Sequence, residues 1–378
     1  MRKEDDVVRD YRSIELWEDV EPDEWYDWRW QLKNRITTVK QLTKVIPLSN
    51  EEQKEIGMCL NKYRMAITPY YATLMDPKNP RCPIRAQAVP TANELVFRSD
   101  ELADPLGEDA NSPVPNIVHR YPDRVLFILT HRCSMYCRHC TRRRFVGEED
   151  FSIDNQAIGR AVEYIKDNPR IRDVLLSGGD PFILPTEFLE SIISMLRNIP
   201  HVEIIRIGTR TPVVLPMRIT DELLDMLKKY HPIWINTHFN HPIELTPESI
   251  AACERIVDAG IPLGNQTVLL KGINDDVETM RELLLKLVKA RVRPYYLYQC
   301  DISLGIGHFR TPVETGINIM KSLRGYISGY AIPTYVIDAP GGGGKIPINP
   351  EYVISMDDKK VVMKNYLGKV YTYPNVAS

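Results

Sequence analysis

From Arg124 onward one pattern repeats: a short apolar run, then a segment amphipathic at helical spacing. The strand candidates are 125–129, 173–176, 202–207, 233–237, 263–270 and 293–298, and between them lie helix candidates at 156–166, 186–197, 221–230, 247–259 and 276–290. Short buried strands joined by helical crossovers predict a parallel sheet with right-handed connections and helices outside. Six such units fall short of the eight that close a (β/α)8 barrel. In an open or a closed form, ligands bind at the carboxyl ends of the strands, so chemistry is to be sought there.

The flanks lack this rhythm. Trp17, Trp25, Trp28, Trp30, Leu32 and Ile36 are spaced for packing helices rather than for strand alternation. Ser112-Pro113-Val114-Pro115 marks an extended connection and puts a boundary near Asn116. Beyond the sixth run come a helical stretch at 313–328, an apolar run ending in Asp338, and alternating segments at 352–354, 360–363 and 369–371 with Leu367-Gly368 in a turn. The regions read as helical over 1–118, a partial barrel over 119–338, and a glycine loop with a small β cap over 339–378.

Composition narrows the classes. The 378 residues are 43% hydrophobic, enough for a full core, and 48 basic against 50 acidic residues leave a net charge of -2, so no global field draws nucleic acid. No stretch approaches the ~20 apolar residues that span a bilayer. The charged opening Met1-Arg2-Lys3-Glu4-Asp5-Asp6 has no apolar run behind it, and the expectation is a cytoplasmic protein without a membrane partner.

Three of the seven cysteines fall inside Cys133-Ser134-Met135-Tyr136-Cys137-Arg138-His139-Cys140, directly after the first strand candidate. Clustered thiols without a secretory signal favour a metal over disulfides. Zinc usually takes four ligands, whereas three thiolates on one loop suit a cluster with an open metal position; a mononuclear site is the alternative. Cys59, Cys82, Cys253 and Cys300 read as core thiols. Ser177-Gly178-Gly179-Asp180 ends the second strand, where two glycines let backbone come close to a ligand or make a tight βα turn. His238 and Gln266, after the fourth strand and within the fifth, would point toward the barrel mouth, either as ligand contacts or as ordinary hydrogen-bonded polar groups.

Lys345 follows Gly341-Gly342-Gly343-Gly344, but no Gly-Lys-Ser/Thr motif makes this a nucleotide loop. A lysine beside such a loop suits an imine with pyridoxal phosphate or stays a solvated lysine. In His119-Arg120-Tyr121-Pro122-Asp123-Arg124 two guanidiniums fit a phosphate, and one of Arg142-Arg143-Arg144 can clamp a carboxylate, the others being surface or salt-bridged. Asp301 and Asp338 each end a strand candidate. Two carboxylates facing one desolvated spot raise at least one pKa unless a cation lies between them; otherwise each caps a helix or pairs with Arg293 or Arg310.

The C-x3-C-x2-C spacing after the first strand resembles the radical S-adenosylmethionine superfamily. That resemblance implies an α/β fold, an open six-unit (β/α)6 three-quarter barrel, with a 4Fe-4S cluster on Cys133, Cys137 and Cys140 and adenosylmethionine on its fourth iron. Ser177, Gly178, Gly179 and Asp180 then match the motif that holds the methionine amino group. Together the cysteine segment, the segment from His119 to Arg124, Thr237-His238-Phe239-Asn240-His241-Pro242 and Asp338-Ala339-Pro340-Gly341-Gly342-Gly343-Gly344-Lys345 resemble the lysine 2,3-aminomutase family, with likeness from about Trp17 to Tyr373.

The resemblance implies an isomerase that moves the 2-amino group of L-lysine to C3, a deoxyadenosyl radical taking hydrogen from C3. Lys345 matches the lysine holding pyridoxal phosphate, Arg120, Tyr121 and Arg124 the coenzyme segment, and His238 and Gln266 adenosylmethionine contacts. Arg142 matches the contact to the substrate carboxylate, and Asp301 and Asp338 the pair that binds its ammonium. It also implies an external reductant such as flavodoxin or ferredoxin and a homo-oligomer. One departure stands out: Asn274-Asp275-Asp276 lies where a zinc-binding cysteine is expected, and no cysteine follows Cys300, so no zinc is expected. The rivals are the same chemistry on glutamate or arginine, a radical enzyme without pyridoxal phosphate, and a non-catalytic iron-sulfur protein.

Overall fold

A computed structural model describes residues 8–147 and 153–376; the charged opening from Met1 to Asp6 lies outside them. Nine strands form one sheet in the order of the chain: β1 (Ile117–Tyr121), β2 (Arg124–Thr130), β3 (Asp173–Gly178), β4 (Ile204–Gly208), β5 (Ile233–Thr237), β6 (Leu263–Leu269), β7 (Arg293–Gln299), β8 (Thr334–Ala339) and β9 (Gly344–Pro347). From β2 to β8 every pairing is parallel, while β1 and β9 are antiparallel additions at the two edges. The six expected strands are β2 to β7, and the run before Asp338 adds a seventh parallel strand.

The crossover helices Asn155–Lys166, Thr186–Arg197, Asp221–Lys228, Pro247–Asp258 and Val277–Lys289 match the periodic segments. Asp154, Thr220, Thr246 and Asp276 accept backbone N–H bonds at four of their starts, each cap contributing ~1 kcal/mol. Their apolar stripes meet one face of the sheet, where Val174, Leu176, Ile205, Ile207, Leu263 and Leu269 are fully or almost fully buried. The opposite face departs from the expectation of strands buried on both sides. Leu175, Ser177, Gly208 and Gln266 are only half-buried, because an incomplete barrel leaves its inner face lining a cavity instead of filling it with side chains.

The N-terminal region is a series of short helices whose Trp17 and Trp25 join the same core as the barrel helices. At the other end β10 (Val353–Met356), β11 (Lys360–Lys364) and β12 (Val370–Pro374) form a separate antiparallel sheet, with Gly368 at φ 78° in the turn before β12. No helix among the described residues is long and apolar enough to cross a membrane.

Candidate active site

The inner face of the sheet encloses a cavity of ≈ 570 Å³. It is not confined to the carboxyl ends of the strands. Its walls include Cys133, Cys137, Cys140, His238 and Asp301 beyond those ends, but also Arg124, Asp173 and Tyr295 at or near the starts of β2, β3 and β7. All sixteen residues singled out from the sequence as metal, cofactor or substrate contacts lie on its lining.

The cysteine loop follows β2 and is tied to the N-terminal helices by backbone bonds, Tyr136 N to Ala66 O at 3.0 Å and Arg138 N to Gln87 O at 2.9 Å. Arg35 Nη1 donates to Cys133 O at 2.7 Å. Arg138 crosses behind the loop to the fully buried Glu94. The three cysteines are free and half-buried against the cavity. Burial and the neighbouring acidic groups push the Cys133 thiol well up, and burial pushes Cys140 to about 11. Such thiols need a bound cation to become thiolates. Among the described residues no three His, Cys, Asp or Glu converge on one ion. Three thiols on one loop at the cavity wall match the donor set of an iron-sulfur cluster with one open iron.

The paired glycines serve the loop's packing. A Cβ on Gly179 would lie 2.1 Å from Arg132 O, and Gly178, at φ 116°, would place one 2.5 Å from Thr130 O. Asp180 is buried and already engaged, accepting from Phe182 N (3.0 Å), Thr209 Oγ1 (2.7 Å) and Arg210 N (2.8 Å). Opposite, burial and the Arg210 charge push His238 down to about 4, so its imidazole is neutral.

At the other end Lys345 sits on β9, in register with Asp338 on β8. Its Nζ is 3.1 Å from Asp338 Oδ2, and Arg120 Nη2 is 2.9 Å from Asp338 Oδ1. Asp338 thus pairs with Arg120 and Lys345, not with Arg293 or Arg310. The four glycines make the reversal between the strands, with Gly341, Gly342 and Gly344 at positive φ. Tyr121 accepts from Lys345 N at 3.0 Å. Burial opposes ionisation of its hydroxyl, yet Lys345 and Arg120 outweigh that and hold it below the ordinary phenol value. Arg124 lies over the Tyr121 ring at 3.9 Å and contacts Asp123.

Asp301 accepts from Thr141 Oγ1 at 2.6 Å. Burial, with the Asp338 charge adding to it, pushes its carboxyl up to about 6 against the Thr141 hydrogen bond and Lys345. Arg142 is held by Glu108, which takes its Nε (2.9 Å) and Nη2 (2.7 Å). Arg143 is a buried partner of Glu94 rather than a surface group, and Arg144 meets Asp104, Glu108 and Asp109. Asn274, in the stretch considered for zinc, accepts from Leu270 N and donates to Asn240 O and Val268 O, a turn-building role.

Glu108, Thr141, Arg206 and Arg210 also line the cavity and were not found from the sequence. Arg210 directly follows Thr209 beyond the end of β4, a place where an arginine is itself a signal.

Residues 127–284 match the radical SAM superfamily, and 320–377 match lysine-2,3-aminomutase. An open α/β barrel with a three-cysteine loop after its first parallel strand is accordingly a radical SAM enzyme. Over 362 residues the chain is 60% identical to L-lysine 2,3-aminomutase of Clostridium subterminale, covering 96% of this chain and 87% of that one. It is 54% identical to the L-lysine 2,3-aminomutase of Bacillus subtilis (strain 168), covering 97% and 78%. To the glutamate 2,3-aminomutase of Clostridioides difficile (strain 630) it is 46% identical, covering 98% and 87%. The chain belongs to the lysine 2,3-aminomutase family, whose members use a 4Fe-4S cluster, S-adenosylmethionine and pyridoxal phosphate.

Proposed function

We propose that this chain isomerises L-lysine to L-β-lysine, moving the amino group from C2 to C3. The observation that carries the reading is that one cavity brings the cysteine triplet together with Lys345, Asp301 and Asp338. When bound, the cluster and adenosylmethionine supply a carbon radical able to take hydrogen from C3, and pyridoxal phosphate supplies the π-system that accepts the unpaired spin.

Cys133, Cys137 and Cys140 hold the cluster. Ser177, Gly178, Gly179 and Asp180 shape the adjoining wall for adenosylmethionine, with His238, kept neutral, and Gln266 across from it. Lys345 would hold the coenzyme covalently, with Arg120, Tyr121 and Arg124 as its further contacts and Arg120 or Arg124 as the partner for its phosphate. Arg142 offers Nη1, which Glu108 does not occupy, to the substrate carboxylate. Asp301 and Asp338 bind the side-chain ammonium. The residues thereby fix both ends of the substrate while the enclosing wall keeps water from the radical.

Two carboxylates at the side-chain end favour lysine over glutamate, whose own carboxylate they would repel. Arginine is a longer, planar competitor. A one-electron donor such as flavodoxin or ferredoxin supplies the electron, and the site of action is the cytoplasm. The exposed apolar residues of β10 and β12, including Val353, Met356, Val370 and Tyr373, support a homo-oligomer, since a small sheet without a packed face gains little alone. The deciding experiment supplies anaerobically reconstituted protein with adenosylmethionine, reductant and lysine, glutamate or arginine in competition. β-Lysine is the expected product, and preferential turnover of glutamate would overturn the reading.

A further inference from the structure

The guanidinium of Arg210 is buried, and its orientation is fixed on several sides. Nε donates to His238 O at 3.1 Å, and Nη2 donates to Gln87 Oε1 at 2.6 Å and Glu244 Oε1 at 2.8 Å. Glu244 and Gln87 are fully buried, and Glu244 is held in turn by the Tyr71 hydroxyl at 2.7 Å and by Asn240 N at 2.6 Å. What this scaffold leaves to Nη1 is the sulfur of Cys137, 2.7 Å away.

We propose that Arg210 is a positioning residue that sets the reduction potential of the cluster through Cys137, an inference that rests on the cluster assignment above. A sulfur bound to iron keeps negative charge, and the added electron of the reduced cluster increases it. A guanidinium hydrogen bond stabilises that charge in a site where little solvent screens it, so the reduced form is favoured. The couple is one electron from a low-potential donor onto the oxidised cluster, with no atom transferred. Glu244 offsets part of the guanidinium charge, so the pair holds the potential between the values that either charge alone would give. A purely structural Arg210, tying the N-terminal helices to the barrel, would affect folding but not this equilibrium once the cluster is in place.

The test is an anaerobic redox titration of reconstituted full-length protein, followed by the electron paramagnetic resonance signal of the reduced cluster, with iron and sulfide counted. Arg210→Gln is expected to load iron as the parent does and to shift the reduction equilibrium about ten-fold toward the oxidised form, ~59 mV for one electron. Glu244→Gln, which leaves the guanidinium uncompensated, is expected to shift it the other way. An unchanged potential in loaded Arg210→Gln overturns the proposal. If that variant fails to load, an unchanged potential in Glu244→Gln overturns it. A parent protein that takes up no cluster would instead defeat the cluster assignment itself.

Discussion

Asp338 and Lys345 stand opposite each other across the β8–β9 ladder, 3.1 Å from carboxylate to ammonium. The register puts the amine on the cavity side. Borohydride reduction of coenzyme-loaded protein is therefore expected to fix the pyridoxyl group on Lys345, read by peptide mapping, and Lys345→Ala to lose both label and activity. Label on another lysine would remove Lys345 from this role.

Asp301 gives a pH prediction with a definite sign. Its carboxyl, raised to about 6, must be ionised to hold an ammonium, so kcat/KM for lysine should rise as pH passes upward through about 6. Asp301→Asn should lose that limb of the profile. For stability the same shift runs oppositely: the protonated form is favoured in the fold, so its contribution is full below the ordinary carboxylate pKa and is lost as pH rises through about 6.

Charge-assisted bonds to a buried ammonium contribute about 1.5–3 kcal/mol. Asp301→Asn and Asp338→Asn should each lower kcat/KM for lysine by about tenfold or more, measured in competition with arginine and glutamate. If both variants keep full selectivity, the carboxylate pair does not choose the substrate.

Gly179 has no room for a methyl group, with Arg132 O 2.1 Å from where its Cβ would stand. Gly179→Ala should destabilise the protein by about 1–3 kcal/mol and reduce iron loading, because the cysteine loop must move. Gly159, within the helix Asn155–Lys166, has nothing within 4 Å, so Gly159→Ala should instead stabilise by ~1 kcal/mol. Denaturant unfolding separates the two.

Replacing Cys133, Cys137 or Cys140 singly by Ala leaves too few protein ligands for the cluster. Iron, sulfide and adenosylmethionine cleavage should fall together, and one variant keeping all three would contradict the assignment.

The parallel strands and their helices were readable because each is a local pattern, with period 2 or 3.6 written within a dozen residues. So was the cysteine loop, whose ligands all fall within eight consecutive residues. The partners of Arg142 and Arg210 were not. Glu108 lies 34 residues from Arg142, and Gln87 and Cys137 lie 123 and 73 from Arg210, so only the folded chain brings them together. The double use of Asp338 was hidden for the same reason: Arg120 is 218 residues away. The half-open inner face was implied only by the family resemblance, since in residue pattern a strand lining a cavity and one filling a core are similar.

The sheet runs from β1 to β9 without ladder bonds between these two edges. What joins them is a seam of side chains: the Tyr121 hydroxyl on the Lys345 amide, and Arg120 on Asp338 next to β9. A ring fastened by a clasp can open without tearing its fabric, and here the clasp is made from Arg120, Tyr121 and Lys345, proposed for the coenzyme, and Asp338, proposed for the substrate. On the proposed assignment, a coenzyme held by Lys345 and Arg120 would draw on the same few bonds that fasten the ring.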